Sequence, residues 1–207
     1  MKTVIAASIL IGVGWAIGGE AFAARFKGNI PKSRLDDNSY TSWDGGFELT
    51  PPPLITPGAK AEERQIGPAE KAVVFVDDFG SMYYVIRTDN TDSKRDLETV
   101  AAGYPLNESL REKTIVSTAR GSELRLAGVV PGPMVKETRA NGKITQKTLD
   151  SHRATSLFIA GSYIYEVMAG VTATHGESDA EMFAIAKKKL DAFLGGLRIM
   201  APSPSER

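Results

Sequence analysis

Apolar and polar positions follow the clearest pattern towards the end of the chain. There Ala154–Ala160 and Tyr163–Val171 form two β-branched and aromatic runs separated only by Gly161-Ser162. Glycine at the first of two turn positions suits a type II′ hairpin, which needs a positive φ at that point. The turn sets a register, with Ile159 opposite Ile164, Phe158 opposite Tyr165 and Leu157 opposite Glu166. Leu157, Ile159, Ile164 and Met168 then share one face, and Phe158, Tyr163, Tyr165 and Val167 share the other. A sheet with one wet face alternates apolar with polar residues, whereas both faces here are apolar. The hairpin is therefore expected at the centre of a sheet, covered on both sides.

The period then changes from two to about 3.6. Ser178-Asp-Ala-Glu181 has the spacing of a capping box, and Phe183, Ala186, Leu190 and Phe193 recur at intervals of three and four, a stripe suited to lying on a sheet. Lys187, Lys188 and Lys189 oppose the helix dipole in its C-terminal half, and Gly195-Gly196 is expected to end the helix in the left-handed conformation. Leu197-Arg198-Ile199 is long enough for a closing strand.

Upstream, Val73–Val76 and Met82–Ile86 read as strands joined by a loop containing Asp77, Asp78 and Gly80. Leu97, Val100, Ala101 and Tyr104 predict a helix starting near Asp92 or Ser93 and ending by Pro105, with Asn107 capping one further turn around Leu110. Thr114–Ala119 and Glu123–Val130 flank an Arg120-Gly121-Ser122 turn, and Pro131-Gly132-Pro133 is expected to break the second strand. Val135–Arg139 and Lys143–Leu149 surround Asn141-Gly142 and are polar on both faces, which suits a hairpin projecting at an edge. Together these elements predict an α+β domain over residues 69–200, an antiparallel β-sheet with helices packed on it. Before it, residues 24–68 read as an irregular arm and Pro-rich linker, with one short strand around Trp43–Leu49, and residues 201–207 as a disordered tail.

The N-terminus changes the picture of where the protein works. Lys2, the apolar run Val4–Ile17 and Ala21-Phe22-Ala23 match a signal peptide over residues 1–23, cleaved after Ala23. The alternative is an uncleaved anchor, since the run approaches the roughly 17 residues of the shortest spanning helices. Cleavage implies a periplasmic or secreted protein with no membrane span remaining. Lysine plus arginine and aspartate plus glutamate balance at 25 each, which argues against a general nucleic-acid binder. The absence of cysteine excludes disulfides, thiolate catalysis and cysteine-based metal sites.

The layout resembles the PsbP-like group of α/β/α sandwich domains, which includes the Mog-type Ran-binding proteins. The resemblance rests on Gly46-Phe47-Glu-Leu-Thr-Pro51 before the first hairpin, on Ser156–Met168 as the penultimate hairpin, and on Leu190–Ile199 as a helix running into a last strand. It spans Gly46 to Met200. The long Pro- and charge-rich stretch from Pro52 to Ala69 departs from a compact version of that fold. The resemblance implies a non-enzymatic binding or assembly role and no catalytic residues.

Chemistry-bearing residues are sparse. His175, Glu177 and Asp179 could ligate a divalent cation, but the same stretch is what a capped helix start requires. Asp77-Asp78 offers few of the roughly six oxygens that calcium needs and suits a turn. Gly161-Ser162 and Gly121-Ser122 lack the context of a nucleophile elbow, and neither His152 nor His175 sits in a triad motif. No cofactor or metal site is expected. Tyr83, Tyr84, Tyr163 and Tyr165 either pack in the sheet or line a groove for a ligand or peptide. The expected function is that of an exported, non-enzymatic binding or accessory protein with a protein partner or small ligand. The alternatives are an envelope hydrolase using His152 or His175, and a structural subunit docking through Ala24–Pro57.

Overall fold

The computed structural model describes residues 40–42, 46–50, 60–67, 70–76, 81–138, 144–172 and 176–200. In chain order these form β1 (Tyr40–Ser42), β2 (Phe47–Leu49), β3 (Lys60–Gly67), β4 (Glu70–Val76), β5 (Met82–Asp89), α1 (Leu97–Ala102), β6 (Leu110–Thr118), β7 (Gly121–Thr138), β8 (Ile144–Ala160), β9 (Tyr163–Thr172), α2 (Asp179–Gly195) and β10 (Leu197–Ile199). Seven strands make one antiparallel sheet in the order β3-β4-β5-β9-β8-β7-β6, and β1-β2-β10 make a small second sheet.

The β8–β9 hairpin lies at the centre of the large sheet, with Ile159 opposite Ile164, Phe158 opposite Tyr165 and Leu157 opposite Glu166. Gly161 has φ +59°, as the first position of a type II′ turn requires. One face of the sheet carries α2 and the small sheet. There Phe75 and Tyr83 meet Phe193 of α2, at 5.7 and 5.1 Å between ring centroids, and Tyr40 of β1 packs edge-on against Phe75. Burying side chains of this size contributes about 1.5–3 kcal/mol each. On the other face α1 places Leu97 and Val100 over Leu124, Leu126, Leu157 and Ile164. Beside them Ala72, Val74, Tyr84, Ile86 and Met168 form a further buried cluster.

The α/β/α sandwich expected from the sequence is corrected. The described residues are mostly antiparallel strand, with two helices of six and 17 residues, so the fold is mainly β. Segments that read as breaks continue strands instead. Pro131-Gly132-Pro133 falls in a shift of register between Pro131 and Met134, where a proline has no ladder hydrogen bond to lose. A Cβ at Gly132 would lie 2.8 Å from the Leu149 carbonyl oxygen, so only glycine fits this close approach. β7 and β8 consequently run for 18 and 17 residues, and their distal halves, beyond the reach of β6 and β9, pair only with each other. Within the stretch read as arm and linker, residues 60–67 are a strand paired with β4.

Both helices differ from expectation at one end. α1 starts at Leu97, capped by Asp96, because Asn90 holds the preceding residues in a turn. The Asn90 side-chain oxygen accepts from the Arg95 amide and the Ser93 hydroxyl, and its amide donates to the Arg95 carbonyl. Lys94 sits at φ +43° within that turn. Asn107 does cap a turn, accepting from the Ser109 and Leu110 amides, but the chain leaves it as strand β6. α2 begins with the expected capping box between Ser178 and Glu181. At its other end Gly196 has φ −87°, which is not left-handed. Its role is steric, since a Cβ there would come within 1.9 Å of the Thr50 carbonyl oxygen. β10 pairs with β2 and not with the large sheet.

Candidate functional site

The four tyrosines do not form one groove. Tyr83, Tyr84 and Tyr165 are buried, and adjacent Tyr83 and Tyr84 necessarily face opposite sides of the sheet. Tyr83 packs under α2 and accepts a hydrogen bond from Lys189 Nζ at 3.2 Å. Tyr84 donates to Glu166 Oε1 at 2.7 Å in the other layer, and burial followed by the neighbouring Glu166 charge pushes its hydroxyl pKa well above the ordinary tyrosine value. Burial likewise raises that of Tyr165. Tyr163 is half-buried, with the Arg87 guanidinium 4.3 Å above its ring.

His152 is buried on the α2 face, against the Phe183 ring, and its Nε2 lies 2.9 Å from Asp179 Oδ1 in the first turn of α2. Asp179 also pairs with Arg111. The hydrogen bonds from His152 and Arg111 hold the Asp179 carboxyl below its usual range. A triad needs one imidazole nitrogen on the acid and the other on a nucleophile. Here Nδ1 is sealed in the interior without a hydrogen-bond partner among the described residues. The pair fastens the start of the helix and has no geometry for activating a serine. His175 and Asp77-Asp78 lie outside the described residues, and no group of three or more histidine, aspartate or glutamate side chains suited to a metal ion occurs among the described residues.

Glu123 is the hub of a second polar cluster. Its Oε1 accepts from Thr118 Oγ1 at 2.8 Å and Arg120 Nε at 3.0 Å, and its Oε2 from Ser156 Oγ at 2.8 Å and Arg125 Nε at 2.9 Å. Burial pushes this carboxyl up, but the hydrogen bonds from Ser156 and Thr118 and the charges of Arg125 and Arg120 outweigh it and leave the group below its ordinary value. Arg120 continues to the Leu194 carbonyl at the end of α2, and Arg125 to Asp191. The cluster docks the helix onto the sheet, and the occupied oxygens leave little room for acid–base work.

Arg125 also borders a cleft of about 490 Å³ between α2 and β6–β8. The volume falls within the roughly 300–1,000 Å³ of small-molecule sites. Its floor includes Ala127 and Ala154, paired neighbours on the helix-covered face whose methyl groups leave space that longer side chains would fill. Leu106 and Leu190 add apolar wall. Around it stand Arg111, Arg125 and Lys187, balanced by Asp179, Glu123, Asp191 and Glu112, while Lys113 lies opposite Leu126 and projects to the α1 face. Lys187 meets Glu112 at 2.7 Å and Arg125 meets Asp191 at 2.8 Å, both spanning from helix to sheet. Lys113 donates to the Ala101 carbonyl at 3.2 Å. The sequence carried a signal for part of this site: alternating Glu123 and Arg125 in an otherwise apolar strand place charges on the face that a helix covers. No protein-family model matches the chain, and no curated protein matches it either.

Proposed function

We propose that this is an exported, non-enzymatic binding or accessory protein of the cell envelope, and that its ligand or a part of its partner occupies the cleft under α2. The observation that carries the proposal is the cleft itself, lined by Ala127, Ala154 and Leu190 and bordered by the paired charges Arg125–Asp191 and Lys187–Glu112. Two further points support it. His152 and Asp179 are spent on holding a helix, and among the described residues no helix is long and apolar enough to cross a membrane. Export rests on the signal-like pattern of residues 1–23. Balanced charge supports a partner other than nucleic acid.

A second reading, a structural subunit of a larger assembly, draws on the ribbon formed by the distal halves of β7 and β8, where Met134 and Ile144 are exposed. Isolated two-stranded ribbons are marginally stable in water, so a ribbon of this kind suits docking. The test is native mass spectrometry of the protein gently extracted from its own envelope fraction. A bound small molecule or a co-eluting chain is the expected result. A bare monomer that hydrolyses ester or amide substrates, and stops doing so on His152→Ala, overturns the proposal.

A further inference from the structure

We infer that the β6 edge of the large sheet docks a second copy of this chain, the two copies pairing antiparallel about a two-fold axis at Ile115. β6 is the last strand of the sheet and, among the described residues, pairs only with β7. Open edges are usually guarded against such pairing by charges, prolines or bulges. The opposite edge strand, β3, is guarded in this way, with Lys60, Glu62, Glu63 and Arg64 in its sequence and a register shift between Gln65 and Gly67. The first part of β6 is guarded too, by Arg111, Glu112 and Lys113 and by a register shift between Leu110 and Glu112. Thr114-Ile-Val-Ser-Thr118 has none of these devices. It is uncharged, free of proline, rich in β-branched residues and in unbroken register with β7, and Ile115 is 42% exposed.

The backbone is in phase for this pairing. The two-residue turn Ala119-Arg120 closes on the Thr118–Gly121 pair. Counting back from it, the amides of Thr118, Val116 and Thr114 face β7, and those of Lys113, Ile115 and Ser117 point outward. An axis at Ile115 sets the outward residues against one another, Ile115 against its own copy and Lys113 against Ser117, with two hydrogen bonds in each pair and about six in all. On the α1 face the two Ile115 side chains meet; on the other, Thr114 meets Val116 and Glu112 meets Thr118, so no like charges are opposed. Neighbouring registers fit less well. An axis at Lys113 opposes two lysines, one at Thr114 sets Lys113 against Ile115 and Glu112 against Val116, and one at Val116 leaves only Thr114–Thr118 paired. This self-complementarity is what favours a second copy over an unrelated extended segment. The resulting pair is isologous, closes on itself and joins two seven-stranded sheets into one.

The experiment is sedimentation equilibrium of the purified protein from micromolar to millimolar concentration, with circular dichroism to verify folding of each variant. A monomer–dimer equilibrium with a dissociation constant on the order of 10–100 µM is expected, since a strand edge buries less than a standard interface. Ile115→Lys should weaken it about tenfold or more by opposing two ammonium groups at the axis. Ile115→Pro should abolish it without costing β6 a bond to β7, because that amide points outward. Ser117→Glu should tighten it about threefold or more by facing Lys113 of the second copy, a gain that unspecific association would not show. The glutamate variant changes an exposed residue and keeps the test valid should the proline variant fail to fold. Three results overturn the inference: the wild type and Ser117→Glu both stay monomeric up to millimolar concentration, folded Ile115→Lys dimerises as well as the wild type, or the Lys113, Ile115 and Ser117 amides exchange hydrogen equally fast in dilute and concentrated protein.

Discussion

Replacing Gly196 by alanine tests how α2 is joined to the small sheet. The new Cβ would stand 1.9 Å from the Thr50 carbonyl oxygen and 3.0 Å from its carbon, both backbone atoms that cannot rotate away. Restoring even 3.0 Å to the oxygen requires about 1.1 Å of backbone retreat, because Cβ atoms are essentially never found closer. The same two residues share the hydrogen bond from the Thr50 amide to the Gly196 carbonyl, at 2.8 Å. A retreat of that size stretches it beyond hydrogen-bonding range. Losing the bond costs about 1 kcal/mol, and opening the adjoining Leu49–Leu197 pair exposes part of two buried side chains, for about 1–2 kcal/mol more. The expected loss is about 2–3 kcal/mol in urea unfolding followed by tryptophan fluorescence and circular dichroism. Gly195→Ala is the control. Nothing lies within 4 Å of its Cβ position, and alanine in the last helical turn should be neutral or stabilise by up to about 1 kcal/mol. Equal stabilities of the two variants, within about 0.5 kcal/mol, would refute the steric account.

Glu123→Gln leaves Arg120 and Arg125 facing a neutral group, and with both arginines partly exposed the cost should be about 2 kcal/mol at pH 7, read by chemical denaturation. The folded carboxyl titrates below its ordinary value, so its stabilisation is present above the unfolded pKa of roughly 4.3 and fades as pH falls through the folded one. The gap between wild type and Glu123→Gln should accordingly narrow from about pH 5 downwards; a gap independent of pH would contradict the assignment. Tyr84→Phe removes the donor to Glu166 Oε1 in a buried layer and should cost about 1–2 kcal/mol, with an unchanged melting temperature counting against that hydrogen bond. Lys94→Gly relieves the positive φ at that position and should stabilise by about 0.5 kcal/mol after its added chain entropy, and destabilisation would argue that the Lys94 turn is unstrained.

The parts of this fold that could be read from the sequence are those fixed by local chemistry. The Gly161-Ser162 turn dictates the β8–β9 register, and the Ser178–Glu181 cap dictates where α2 begins, because each depends on residues a few positions apart. Local signals failed where distant contacts decide. The prolines at 131 and 133 would end an isolated strand, but β8 holds the chain on both sides of the register shift. Gly196 looked like a left-handed cap and is a close-approach glycine, a role set by Thr50 from the other end of the chain. Tyr163 and Tyr165 alternate as residues of a groove do, and only the covering layers reveal that Tyr165, like Tyr83 and Tyr84, is interior. The cleft was illegible for the same reason: Ala127, Ala154 and Lys187 are unremarkable until the helix is laid across the sheet.

The polar ties between α2 and β6–β7 have a kinetic meaning as well as a structural one. Arg125–Asp191, Arg120–Leu194 and Lys187–Glu112 join residues 66, 74 and 75 positions apart. Contacts of such long sequence separation must wait for the loops between them to close, so they form late, after the hairpins have paired. Interactions absent from the folding transition state act almost wholly on the rate of unfolding. These ties therefore set how long a folded molecule lasts before it opens, and much less how fast it folds. Under the proposal of export, which places the protein away from refolding machinery, that lifetime is the quantity that matters.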